Sequence, residues 1–126
     1  MKYYSFQVLI TLVILLFESN CSQKDTQPWI LFETESGEFG YMNLQGDTVI
    51  AAGKYVMCFT DTIKTFGIVT DKELGIIGIN QAGEILFNVF NYDNGPDYIS
   101  EGLFRIVEDG KIGYANQTGN IMIKPE

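Results

Sequence analysis

A chain of 126 residues with a formal net charge of -8, two cysteines and no histidine has room for one domain and one modest core. The missing histidine excludes His-based triads, His metal sites and His proton shuttles, and the scattered acidic residues repel a phosphate backbone, so no nucleic acid is expected as a partner. A hydrophobic share of 46% and an aromatic share of 13%, rich in Val, Ile, Phe and Tyr, favour half-buried strands over disorder.

The first expected element is a signal-peptide helix over residues 1–20. Met1-Lys2 gives a basic start, and Val8 to Phe17 is an unbroken apolar run apart from Thr11. A bilayer-spanning helix needs about 20 apolar residues, so this run fits export better than retention; a retained membrane helix is the alternative. Cys21 follows Phe17-Glu18-Ser19-Asn20 directly after the apolar core. This arrangement resembles a bacterial lipoprotein leader, with Glu18 and Asn20 standing where a lipobox normally carries an aliphatic and a small residue. The resemblance implies that Cys21 is the lipid-anchor residue, diacylated on sulfur and first in the mature chain. The protein is then extracytoplasmic and held at the outer membrane or cell surface through its N-terminal lipid, each buried methylene contributing about 0.8 kcal/mol. Ordinary signal-peptidase cleavage, which would leave a periplasmic or secreted protein, is the competing reading. Residues 21–28 are polar up to Pro28 and read as a short flexible tether, and Gln23-Lys24-Asp25 is similar to the sorting signals of some surface-exposed lipoproteins.

From residue 29 to 126 the chain repeats itself. Ser36-Gly37-Glu38-Phe39-Gly40-Tyr41-Met42-Asn43-Leu44-Gln45-Gly46 and Asp109-Gly110-Lys111-Ile112-Gly113-Tyr114-Ala115-Asn116-Gln117-Thr118-Gly119 follow one pattern without a gap. Gly75-Ile76-Ile77-Gly78-Ile79-Asn80-Gln81-Ala82-Gly83 matches them if one residue is deleted after Ile79. The turn glycine recurs at 46, 83 and 119, and an apolar run precedes each unit. These features predict an all-β fold: an antiparallel meander, or a short solenoid, of about three repeated β-hairpin units that hide one shared apolar face. Gly40, Gly78 and Gly113 inside strands predict bulges, or places where backbone or an aromatic ring packs closely. Cys58, inside Tyr55-Val56-Met57-Cys58-Phe59, is expected to be a buried, inert thiol.

Gly110-Lys111-Ile112-Gly113-Tyr114 and the ending Ile121-Met122-Ile123-Lys124-Pro125 resemble the WG-repeat family, with Phe39 and Ile112 in place of the signature Trp. The resemblance implies a WG-like β-repeat domain over 29–126 in an exported or surface protein, and it implies no shared activity.

Three groups of side chains are candidates for chemistry. Asn91, Asp93 and Asp97 offer oxygen ligands for Ca²⁺ but lack the closing Glu of a complete loop, so they read as a solvated turn and no metal is expected. Glu108-Asp109, or Glu33 with Glu35, would serve the alternative of a small carboxylate-dependent envelope hydrolase. Tyr41, Tyr92, Tyr98 and Tyr114 are candidates for stacking on a glycan or peptide, against core packing as the plainer role. With no nucleophile-base pair in view, the sequence points to a non-catalytic binding or scaffold module without a catalytic residue or cofactor; a structural envelope protein with no specific ligand is a further alternative.

Overall fold

The computed structural model describes residues 27–126; the expected signal peptide, the Cys21 anchor and most of the tether lie outside the described residues. The described residues are all β, without a helix, and every strand pairing is antiparallel. Three meanders of three strands follow one another: β1 (Trp29–Glu33), β2 (Phe39–Met42) and β3 (Thr48–Ile50); β6 (Phe66–Asp71), β7 (Gly75–Asn80) and β8 (Ile85–Val89); β11 (Leu103–Glu108), β12 (Lys111–Asn116) and β13 (Ile121–Ile123). Between the first two lie β4 (Met57–Cys58) and β5 (Thr62–Ile63), and between the last two an arm of β9 (Asn91–Tyr92) and β10 (Gly95–Pro96). The first meander and β5 make a four-stranded sheet in the order β3-β2-β1-β5. The other two share a seven-stranded sheet in the order β13-β12-β11-β8-β7-β6-β4, joined where Ile106 and Val107 pair with Val89 and Asn88.

One turn chemistry sets the register in all three meanders. Asn80 and Asn116 end a second strand and Asn43 directly follows one, and each accepts, through Oδ1, the backbone N–H groups two and four residues on. The glycine three residues on then adopts a positive φ of 86°, 77° or 85° and donates its N–H back to the Asn carbonyl at 3.0–3.1 Å. This is a three-residue hairpin loop closed by a residue in the left-handed region, which only glycine enters without strain. Thr34 does the same work in the turn between β1 and β2, its Oγ1 accepting the Glu38 N–H at 3.1 Å while Gly37 takes φ 80°. The flanks of Gly46, Gly83 and Gly119 therefore pair as neighbouring strands in the same way.

The second meander corrects the expected alignment. Register shifts fall at Tyr41/Met42, Gly78/Ile79 and Tyr114/Ala115, in each case five residues before the turn glycine. Gly78 thus stands where Tyr41 and Tyr114 stand, so the missing residue lies before Gly78 and not after Ile79. The bulge and the Asn turn pin the register, and the matching glycine letter does not. A Cβ on Gly78 would lie 2.6 Å from the Phe66 ring and 2.7 Å from the Phe87 ring. On Gly40 it would lie 2.7 Å from both the Phe32 ring and the Ile50 carbonyl. Strand glycines at these points let rings pack onto bare backbone, as their spacing predicts.

Instead of one shared apolar face, the chain builds two clusters. The first joins Tyr41, Ile50 and Ile63 of the smaller sheet to Cys58, Val69, Ile77 and Ile79 of the larger, with Tyr55. The second gathers Ile76, Val89, Phe104, Ile106 and Ala115, with Phe66, Ile68 and Phe87 packed on it. Strand β7 feeds both: Ile77 and Ile79 enter one cluster and Ile76 the other, so its run reads as continuous apolar residues and not as an alternation. Each fully buried Ile contributes about 1.5–3 kcal/mol relative to exposure.

Candidate binding cleft

Side chains that could meet a ligand gather around β11. Phe104 and Ile106 are buried, which by alternation turns Arg105 to the opposite face. There Tyr114 is its cross-strand partner on β12. On the other side Phe90 donates its backbone N–H to the Arg105 carbonyl at 3.0 Å. The guanidinium lies 4.1 Å from the Phe90 ring centroid and 5.9 Å from that of Tyr92. This is cation–π geometry.

The arm of β9 and β10 brings a carboxylate onto this arginine. Asp93 and Asn94, at φ 50° and 67°, make the two-residue turn between Tyr92 and Gly95, and the Asp97 N–H returns to the Phe90 carbonyl at 3.0 Å. Asp97 then accepts three bonds from Arg105: the backbone N–H at 2.9 Å and Nε at 3.0 Å on Oδ2, and Nη2 at 2.6 Å on Oδ1. Its side chain is 7% exposed against 34% for Arg105. The guanidinium bond holds the Asp97 carboxyl below its ordinary range, partly opposed by desolvation, and the same bond raises Arg105.

Beyond Asp97 the chain lays Tyr98 against Tyr92, edge to face, with centroids 5.3 Å apart and planes at 65°. Ser100 and Leu103 then exchange backbone bonds around a second tight turn, Glu101-Gly102, at φ 52° and 79°. Tyr92, Tyr98, Tyr114, Arg105, Ser100 and Glu101 border an open cleft of about 570 Å³. Tyr98 is 72% exposed and Tyr92 47%.

The sequence candidates separate accordingly. Tyr92, Tyr98 and Tyr114 come together at the cleft, whereas Tyr41 is wholly buried and donates its hydroxyl to the Thr60 carbonyl at 2.7 Å. Burial, aided by Cys58, pushes the Tyr41 hydroxyl far up, so it stays protonated. Cys58 is buried in β4 and burial raises its thiol too, which suits an inert residue. Of the Ca²⁺ candidates, Asp97 has both oxygens engaged by Arg105, and Asn91 and Asp93 are exposed on the arm. Glu33 and Glu35 lie exposed at the turn between β1 and β2, and Glu108 and Asp109 at that between β11 and β12. Glu108 and Asp109 rim a second groove of about 630 Å³ over β8. Arg105, Phe90, Ser100 and Glu101 were not legible as site residues; the one available cue was an isolated Arg in an otherwise apolar strand, Leu103-Phe104-Arg105-Ile106-Val107. Comparison with protein-family models, with curated proteins and with solved structures returns no match to this chain.

Proposed function

We propose that the chain is an exported, lipid-anchored, non-catalytic binding module of the bacterial envelope, made of three copies of a WG-like strand-turn-strand unit. The recurrence of one Asn-clamped turn at Gly46, Gly83 and Gly119, with a bulge at the same step before each, supports descent of the three meanders from one unit. The observation that carries the binding reading is the cleft itself. Exposed tyrosines, a paired Arg–Asp and two tight turns are held in fixed relation on the outer face of β11, whose other face is buried. Anchoring through Cys21 places that cleft at a membrane surface on the extracytoplasmic side.

The test uses the full chain expressed in a diderm bacterium. Wild type retains an envelope component from extract and the Tyr98→Ala variant does not; retention by neither removes the binding reading. Fatty-acid label is incorporated into wild type and lost in Cys21→Ala, and label that persists in the variant removes the anchor.

A further inference from the structure

We infer that the cleft beside Arg105 takes a neutral sugar ring, a pyranose unit of a glycan, an assignment that rests on the binding reading above and gives it a ligand class. Charge makes the first selection. Among the described residues the only cation bordering the cleft is Arg105, whose guanidinium is held by Asp97 at 2.6 Å and seated on the Phe90 ring. Its charge is already met by Asp97, which weakens its hold on a phosphate or carboxylate, and Glu101, which also borders the cleft, opposes an anion. A ligand cation is no better served, because on the Phe90 and Tyr92 side it would meet the like charge of the Arg105 guanidinium.

What remains is a pair of ring planes and a polar rim. Tyr92 and Tyr98 stand at 65° to each other with 47% and 72% of their surface in water, and Tyr114 also borders the cleft. The apolar C–H face of a pyranose lies flat on such a ring, while its hydroxyls, both donors and acceptors, point outward at the rim. There the Ser100 hydroxyl, the Glu101 carboxylate and the Arg105 N–H groups not spent on Asp97 are the matching partners. A volume of about 570 Å³ lies inside the range of about 300–1,000 Å³ usual for small-ligand sites. The geometry is also preset. Asp93 and Asn94 at positive φ turn the arm, Glu101 at positive φ borders the cleft, and the Asp97 bonds fix the arm against β11 before any ligand arrives. A peptide, by contrast, would need a long free strand edge or a deep apolar pocket, and β9 and β10 pair through only two residues each.

The experiment is a titration of the full-length protein in detergent, followed by tyrosine fluorescence and calorimetry. The probes are a neutral hexose oligosaccharide, an N-acetylhexosamine oligosaccharide, an oligogalacturonate, inorganic phosphate and a short peptide library. Saturable binding of a neutral oligosaccharide is expected, weakened on the order of tenfold in Tyr98→Ala and in Tyr92→Ala. Leu44→Ala, on a turn of the other sheet, leaves it unchanged. Circular dichroism of each variant separates lost binding from lost fold. Preference for the oligogalacturonate, phosphate or peptides overturns the sugar assignment. So does the absence of any neutral-sugar binding; if retention of an envelope component still depends on Tyr98 in that case, the binding reading stands without it, and if neither is seen both fall together.

Discussion

Residues 51–65 and 90–102 occupy equivalent places in the chain, each carrying it from one three-stranded meander to the next, and the fold uses them in opposite ways. The first stretch is drawn inward. Tyr55, Cys58 and Ile63 are buried, β4 pairs with β6 of one sheet and β5 with β1 of the other, and Thr60 receives the Tyr41 hydroxyl on its carbonyl and the Ile68 N–H on its Oγ1. The second stretch contains no buried apolar residue; it stands on the surface and is tied down by Asp97 and a two-residue ladder. A spacer becomes a seam between sheets when its apolar side chains meet a half-built core on both sides. It stays a surface arm when its aromatics find no such core and a charged pair fixes them in water.

That contrast can be tested by removing side chains from each stretch in turn. The largest expected effect is Ile63→Ala, which leaves a cavity in the first cluster and costs about 2–5 kcal/mol in urea unfolding; a loss under about 1 kcal/mol would show that the seam is not structural. Next is Asp97→Ala, expected to cost about 1–2 kcal/mol and to free the arm, read as faster hydrogen exchange at Phe90 and Arg105. Tyr41→Phe, which orphans the Thr60 carbonyl inside the seam, should cost about 1 kcal/mol by the same measurement.

A smaller effect concerns pH. The Asp97 carboxyl is depressed in the folded chain, so its contribution is present above the unfolded value of about 4 and is lost as pH falls through the lower folded value. Denaturant melts of wild type and Asp97→Asn should therefore differ at pH 7 and converge as pH falls through the depressed folded value, and curves that stay parallel would deny the linkage. Smallest of all, Tyr98→Ala should change stability by no more than about 0.5 kcal/mol, because the ring lies in water and closes no core.

The strand order within each meander was readable because its determinants are local. An Asn clamp and a glycine forced to positive φ lie within five residues of each other, and both leave letters in the sequence. Gly78 misled for the same reason: the letter matched Gly40 and Gly113, while the register shift puts it level with Tyr41 and Tyr114 and the Phe66 and Phe87 rings pack against it. Tyr41 and Tyr114 hold corresponding positions with opposite fates, one sealed and the other 36% exposed. The difference comes from the neighbouring sheet that packs on the first meander, which no local pattern encodes. The Asp97–Arg105 pair was equally hidden, since it depends on a hairpin arm folding back across eight positions.

Cys58 sits in the seam as the only cysteine among the described residues. In an oxidising compartment its sulfur cannot reach a second molecule until the ladder between β4 and β6 parts. Disulfide-linked dimers through Cys58 would then accumulate with time and temperature and not with concentration alone, and would record how often the seam has breathed.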